Sequence, residues 1–328
     1  MSEAQVTIIV SAHEGFSYTT QFLEGIYSQT DYPFSLIYVD GGSPSNIKQY
    51  LEIQAKEKGF ELIRTNYYLS SNQARNLGLN QVKTEYVVFI ENDIDVAPGW
   101  LEKLVQCAQQ TEATVVSPLT CIGKDLKQTI HLAGGEAWIY VQVKGDKIKR
   151  KLHEKPYFIN NPVAEVPTQL KRQECQLAQF HCMLVRTAIF DKIGSLDEGL
   201  LSTREDIDFC LSIAQVGGTI YLEPTAVVNY ISEFPFELSD IPYFMLRWSD
   251  AWELASLEHF ATKWDLKQDQ GYITQLYDNL GKRRRQAFLQ SLVKNLSFGR
   301  RNPWLEKMLL FVERQLNRYF THCYSNPI

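Results

Sequence analysis

The sequence predicts an α/β fold: a mainly parallel central sheet flanked by helices, with a helical extension at the carboxyl-terminal end. Three observations lead there. Apolar runs of strand length alternate with helix-spaced apolar residues through the first 118 positions. One of those runs, residues 86–90, breaks abruptly into Glu91, Asn92, Asp93 and Asp95, followed by Pro98 and Gly99. After residue 234 the strand pattern stops, and Trp248, Trp252, Leu257 and Phe260 recur at helical spacing. Strands separated by helices imply βαβ units and parallel pairing. An open sheet of that kind takes its ligands at the carboxyl ends of its strands.

Each element has its own signal. Residues 6–10 are continuously apolar and predict a first strand, and Phe22, Leu23, Ile26 and Tyr27 then share a helix face. Residues 34–39 predict a second strand ending in a turn at Asp40-Gly41-Gly42-Ser43-Pro44. A third strand follows at 60–64, then a helix carrying Arg75, Leu77 and Leu79 with Ser70 or Ser71 at its cap. The fourth strand, 86–90, precedes a helix at 100–110 and a fifth strand at 114–118. Between 124 and 171 the pattern weakens to Gly134-Gly135 and alternating stretches, which predicts a loop or β-ribbon insertion. Regularity returns with an apolar run at 180–185 and a helix bearing Ile207, Cys210, Leu211 and Ala214, closed by Gly217-Gly218. The domains are therefore expected at 1–234 and 235–328.

Composition narrows the function. Hydrophobic residues make up 45% and charged residues 22%, as in a globular protein with a real core. The 33 basic and 38 acidic residues leave a net charge of −5, which argues against a general nucleic-acid binder. The six cysteines (107, 121, 175, 182, 210 and 323) form no C-x-x-C pair, so reduced thiols are expected. Residues 1–5 lack the basic start of a secretory leader, and no apolar run is long enough to span a bilayer. These features predict a cytoplasmic location. Acids clustered at a buried strand end supply hard oxygens suited to Mg²⁺ or Mn²⁺ bridging phosphates.

Four ordered segments carry a resemblance. They are residues 6–14 with Gln29-Thr30; Val39-Asp40-Gly41-Gly42-Ser43; Asn72-Gln73-Ala74-Arg75-Asn76-Leu77-Gly78 leading to Glu91-Asn92-Asp93, Pro98 and Trp100-Leu101; and Gly194-Ser195-Leu196-Asp197-Glu198 leading to Glu205-Asp206-Ile207-Asp208. In this order and spacing, over residues 6–230, the chain resembles the inverting-type glycosyltransferases of family 2, which have the nucleotide-sugar-binding GT-A fold. The resemblance implies a hexosyltransferase-type enzyme moving a sugar from a nucleotide-diphosphate donor, with a UDP-sugar favoured, to a saccharide or lipid-linked hydroxyl acceptor. It implies a Mn²⁺ or Mg²⁺ ion at the family's Asp-x-Asp motif, here Glu91-Asn92-Asp93, with Asp93 as direct ligand and Glu91 or Asp95 as a second contact. Donor binding falls to Ser11, Ala12, Glu14, Asp40, Arg75 and Asn92, and catalysis to Asp206 as base beside Glu205.

Plainer readings stand beside these. Asp40 also fits a turn aspartate stabilising Gly41-Gly42 through its own backbone, and Arg75 an ordinary helix-surface arginine. Ser202–Glu205 and Thr203–Asp206 match capping boxes. Gly41 stands where the family has a second aspartate, His13 and Glu14 where it has Tyr-Asn, and Tyr230 where it often has a metal-shell histidine. His181 reads as a hydrogen-bonded core residue more readily than as a ligand, and His131 is similarly ambiguous. In the carboxyl-terminal region Leu305, Leu309, Val312 and Leu316 share a helix face, expected to pack on the catalytic domain or on a dimer partner. Docking on a membrane surface is the sharper alternative. Lys282-Arg283-Arg284-Arg285 reads as a solvated helix face. Two other functions compete: a sugar nucleotidyltransferase, disfavoured because residues 11–15 lack a basic group for a triphosphate, and a non-catalytic nucleotide- or sugar-binding protein.

Overall fold

The structure is a computed structural model describing residues 5–123, 128–145, 147–231, 237–266, 274, 277–289, 293, 296 and 302–324. Its centre is a parallel trio: β1 (Val6–Ser11) lies between β2 (Phe34–Gly41) and β4 (Tyr86–Glu91), and β3 (Glu61–Thr65) pairs outside β2. Both faces of these strands are covered, so consecutive residues point into different cores. Ile9, Val87 and Phe89 enter one, whereas Val6, Ile8, Val10, Val88 and Ile90 enter the other. This explains why the strands read as unbroken apolar runs rather than alternating ones.

The helices α1 (Thr19–Gln29), α2 (Ser45–Lys58), α3 (Ser71–Leu79) and α4 (Trp100–Thr111) connect the parallel strands and their continuation. α2 buries only Ile47 and Leu51. So sparse an apolar face explains why no sequence signal marked it. Ser70 caps α3, its N–H donating to Gln73 Oε1 at 3.0 Å. After β4 the chain turns back through β5 (Ile94–Val96) and α4 to β6 (Val115–Ile122).

Beyond β6 the sheet becomes mixed. The expected insertion contains β7 (Thr129–Leu132) and a two-stranded ribbon of β8 (Gly135–Lys144) and β9 (Lys147–Pro156). β10 (Gln173–Cys175) lies at the sheet edge, and β11 (Cys182–Arg186) inserts antiparallel between β4 and β6. The short helix α5 (Phe190–Ile193), then α6 (Glu205–Gln215) and β12 (Ile220–Tyr230), complete the unit, with β12 parallel to β6. Because β11 runs against β4, its amino end meets the carboxyl ends of β1 and β4. Cys182 registers with Ile90, and Ser11 with Glu91.

The described residues beyond 234 are mainly helical, as expected, but they share the cores already described. Tyr243 of α7 (Ile241–Arg247) belongs to the core under α1, and Phe260 and Ala261 of α8 (Asp250–Lys263) to the other. The two helices break at Trp248 because Ser249 Oγ accepts from Trp252 N at 3.1 Å and starts α8. Residues 303–324 form a further long helix, and the face it packs on the rest of the chain is not the apolar one. Its apolar Val312 and Leu316 are exposed, while polar Glu313 and Asn317 are buried.

Candidate active site

The strand ends at β1, β4 and β11 gather a compact cluster. His13 follows β1, Glu91 ends β4, Asp93 sits in the turn after it, and His181 precedes β11. One ligand atom from each lies within 4.8 Å of all the others. His13 Nδ1 is 2.8 Å from Asp93 Oδ2 and 3.5 Å from Glu91 Oε2, and His181 Nδ1 is 2.5 Å from Glu91 Oε2. His181 is thus a hydrogen-bonded residue facing the acids, not a buried core histidine. Arg75 donates to Glu91 Oε1 at 2.9 Å and to Asn72 Oδ1 at 3.0 Å, with its guanidinium 3.9 Å from the Phe180 ring centre. At 1% exposure it is no surface arginine.

The charges sort themselves by partner. Burial alone would lower the His13 pKa, but the Glu91 and Asp93 carboxylates outweigh it and raise it to about 9. Burial works against ionised Glu91 too, yet His13, His181 and Arg75 hold its pKa well below the usual range. Burial lifts Asp93, so the cluster retains a proton between His13 and Asp93. His131, whose ring lies 5.1 Å from that of His181, is pushed down to about 3, first by burial and then by the neighbouring His181 and His13, and stays neutral. Asp93 Oδ1 is buried without a hydrogen-bond partner. An unpartnered carboxylate oxygen beside two imidazoles and a second carboxylate is a donor set that fits a divalent cation.

The same cleft, about 360 Å³, is lined further along by Asp206, Arg247, Trp248 and Arg283. Asp206 lies in the first turn of α6 and accepts from Phe180 N at 2.7 Å through Oδ1. Burial, and next the nearby Glu205 charge, raise its pKa to about 6. The capping boxes of the plainer reading do not form. Arg204 occupies the cap in a left-handed conformation (φ 71°) with no side-chain cap bond, which leaves Asp206 facing the cleft. Glu205, expected to share in catalysis, is instead buried against Arg247, which donates to its Oε1 at 2.9 Å and also to the Ser202 carbonyl.

Several expected donor contacts have other work. Asn92 lines no part of the cleft. Its Oδ1 accepts from His13 N at 3.2 Å and its Nδ2 donates to Gly15 O at 2.8 Å, which fixes the turn after β1. Ser11 O accepts from Asn92 N at 3.1 Å, and Ala12 O from the Tyr243 hydroxyl at 3.1 Å. Asp40 accepts from Ser43 N and Ser43 Oγ, both at 2.8 Å, and from Arg64, so its own turn occupies it. Gly41 is a glycine for a reason of space: a Cβ there would sit 3.2 Å from Leu69 N and Cβ. Asp95 is not part of the acid–histidine cluster. Its carboxylate accepts from Gln21 Nε2 at 3.3 Å.

Lys282 of the basic run is exposed, but two of its arginines turn inward. Arg283 reaches across to fully buried Glu14, with Nε and Nη2 each donating at 2.6 Å, and donates to the Tyr230 hydroxyl at 3.2 Å. Tyr230 stacks on His181 with ring centres 4.7 Å apart, so the position where the family often has a histidine bridges the cluster to Arg283. Arg284 is buried against Glu313, Trp248 O and Asp250. Sequence reading overlooked Arg247 and Trp248 as site residues, and His13 as a partner of the acids. Only the histidine carried a usable signal, its place directly after an apolar strand.

Comparison with known proteins bears on the family and the fold. The sequence model of Glycosyl transferase family 2 matches residues 7–194. An uncharacterized protein (y4gI) of Sinorhizobium fredii is 24% identical over 227 residues, 65% of this chain and 23% of its own length. The pre-mycofactocin glycosyltransferase of Mycobacterium tuberculosis is 24% identical over 158 residues, 48% of this chain and 29% of that protein. The chain thus spans less than a third of the length of these curated relatives. The crystal structure of GalNAc-T7 with UDP, GalNAc and Mn²⁺ shares the fold at a TM-score of 0.51 and 15% identity, covering 85% of this chain and 57% of that one. The matched segment runs from β1 through α5 and includes all four residues of the acid–histidine cluster, and the chain belongs to glycosyl transferase family 2.

Proposed function

We propose that the protein transfers a sugar from a nucleotide-diphosphate donor, a UDP-sugar, to a hydroxyl acceptor by metal-assisted single displacement. The observation that carries this reading is the unpartnered Asp93 Oδ1 among His13, Glu91 and His181, beside a cleft that His13, Glu91, His181 and Asp206 line together. A Mn²⁺ or Mg²⁺ ion bound by these four residues would supply Lewis-acid neutralisation of the diphosphate as its bond to the sugar breaks. Arg247 and Arg283 add fixed positive charge along the cleft, oriented by their bonds to Glu205 and Glu14. Asp206, ionised above pH about 6, takes the proton of the acceptor hydroxyl as it attacks the anomeric carbon. Glu205 lies beside Asp206 but is tied to Arg247, which leaves Asp206 as the single carboxylate there to act on the substrate. That favours one displacement, with inversion, over a covalent glycosyl intermediate. Support for UDP as donor comes from the GalNAc-T7 complex, which shares the fold.

The test is calorimetric titration of UDP in the presence of Mn²⁺ or Mg²⁺, followed by donor turnover. The wild type binds UDP only with the metal, and Asp93→Ala loses both binding and turnover. Absence of metal-dependent binding by any nucleoside diphosphate overturns the proposal. Binding without turnover of any nucleotide sugar would instead support a non-catalytic binding protein.

A further inference from the structure

The helix Pro303–Tyr324 is inverted relative to a helix packed on a globular domain. Its buried residues are polar. Glu313 receives Arg284, and Asn317 donates to Met245 O at 2.7 Å while its Oδ1 accepts from Asp250 N at 3.3 Å. Its outward residues are apolar: Trp304 is 75% exposed, Phe311 64% and Tyr319 62%, with Met308, Val312 and Leu316 also exposed. At 100° per residue these six fall on one continuous stripe along a helix about 33 Å long. Scattered exposed apolar residues are ordinary, but a contiguous stripe marks a surface that docks.

Charge along the stripe selects the partner. Exposed Lys307, Arg314 and Arg318 follow one border at helical spacing, whereas Glu306 and Glu313 lie on the opposite side. Gln315 and His322 are the polar residues within the stripe itself. A second copy of the helix would bring more cations to that border and no acid to meet them. An anionic headgroup layer supplies what is missing, and tryptophan and tyrosine suit the boundary between headgroups and acyl chains.

We propose that this helix lies flat in the surface of a bilayer bearing anionic lipids, with its apolar stripe in the acyl boundary and its basic border among the headgroups. The contact is peripheral, since no described helix is long and apolar enough to cross a membrane. Flotation of the full chain with vesicles tests it. Vesicles containing phosphatidylglycerol recover the wild type, and pure phosphatidylcholine vesicles recover far less. Replacing Lys307, Arg314 and Arg318 together by glutamine lowers partitioning about a hundredfold. The triple variant Trp304→Ser, Phe311→Ser, Tyr319→Ser abolishes it, with circular dichroism and melting temperature unchanged because these side chains face outward. Equal recovery of wild type and triple variant overturns the proposal. So does a wild-type dimer that ignores vesicles and that the triple variant converts to monomer, which would give the stripe to a second copy.

Discussion

Glu91, with Asp93 just beyond it after β4, and Asp206 at the start of α6 are carboxylates in or beside one cleft, but their neighbours differ in kind. The first two face His13, His181 and Arg75, and Glu91 is ionised at any physiological pH. Burial and then the Glu205 charge hold the proton of Asp206 until about pH 6, against the pull of the one backbone N–H it accepts from. On the proposed function, divergent environments would turn one residue type into two tools, a cation cradle and a proton acceptor. Burial raises both Asp93 and Asp206, and what sets Glu91 apart is the three cationic partners, His13, His181 and Arg75, that outweigh its burial.

The largest expected effect tests that division directly. Asp206→Asn keeps the acceptor for Phe180 N but cannot take a proton, so transfer falls by about 10²–10⁴-fold while donor affinity stays within a few fold. In the wild type kcat/KM falls as pH drops through about 6, since the protonated carboxyl is no longer a base. Steady-state kinetics with UDP titration checks both. A matching loss of donor affinity would erase the distinction and return Asp206 to a structural role at the helix start.

A smaller effect concerns the far wall of the cleft. Arg283→Ala leaves Glu14, which has no exposed surface, without its bidentate partner, and a buried pair broken on one side costs about 3–5 kcal/mol. Denaturant titration reads the loss, and adding Glu14→Gln should recover part of it. If Arg283→Ala is neutral, the arginine belongs to the donor site alone.

These two walls were unequally legible. The apolar runs that became β1, β2 and β4, and the acids ending β4, could be read because period, length and chemistry all sit within a few residues. Asp206 could be read as chemistry, though not the left-handed Arg204 that turns it into the cleft. Arg247 and Arg283 could not be read. Their role depends on Glu205 and Glu14, partners 42 and 269 positions away that only the folded chain brings near. A basic run has the same composition in solvent as against a buried carboxylate, so Arg283 and Arg284 looked solvated. The carboxyl-terminal helix misled in the opposite sense. Its apolar period was real, yet the ion pair of Arg284 with Glu313 turned that period outward.

The smallest effect follows from the raised Asp206 pKa and bears on why such a residue persists. An acid whose folded pKa lies above its ordinary value binds its proton more tightly in the folded chain. Its ionisation therefore opposes folding. For Asp206 the penalty is absent below pH about 3.8, grows between 3.8 and about 6, and is constant above that. The shift corresponds at most to about 3 kcal/mol, and partial exposure to the cleft screens it to about 1 kcal/mol. Asp206→Asn should thus melt higher than the wild type at pH 8 and equally at pH 3.5, by scanning calorimetry. Glu91→Gln should melt lower than the wild type at both pH values, because its neighbours hold the Glu91 carboxyl so far below the usual range that it is still ionised at pH 3.5. If both substitutions destabilise alike, the two ends of the cleft do not differ electrostatically, and the division of labour between them fails.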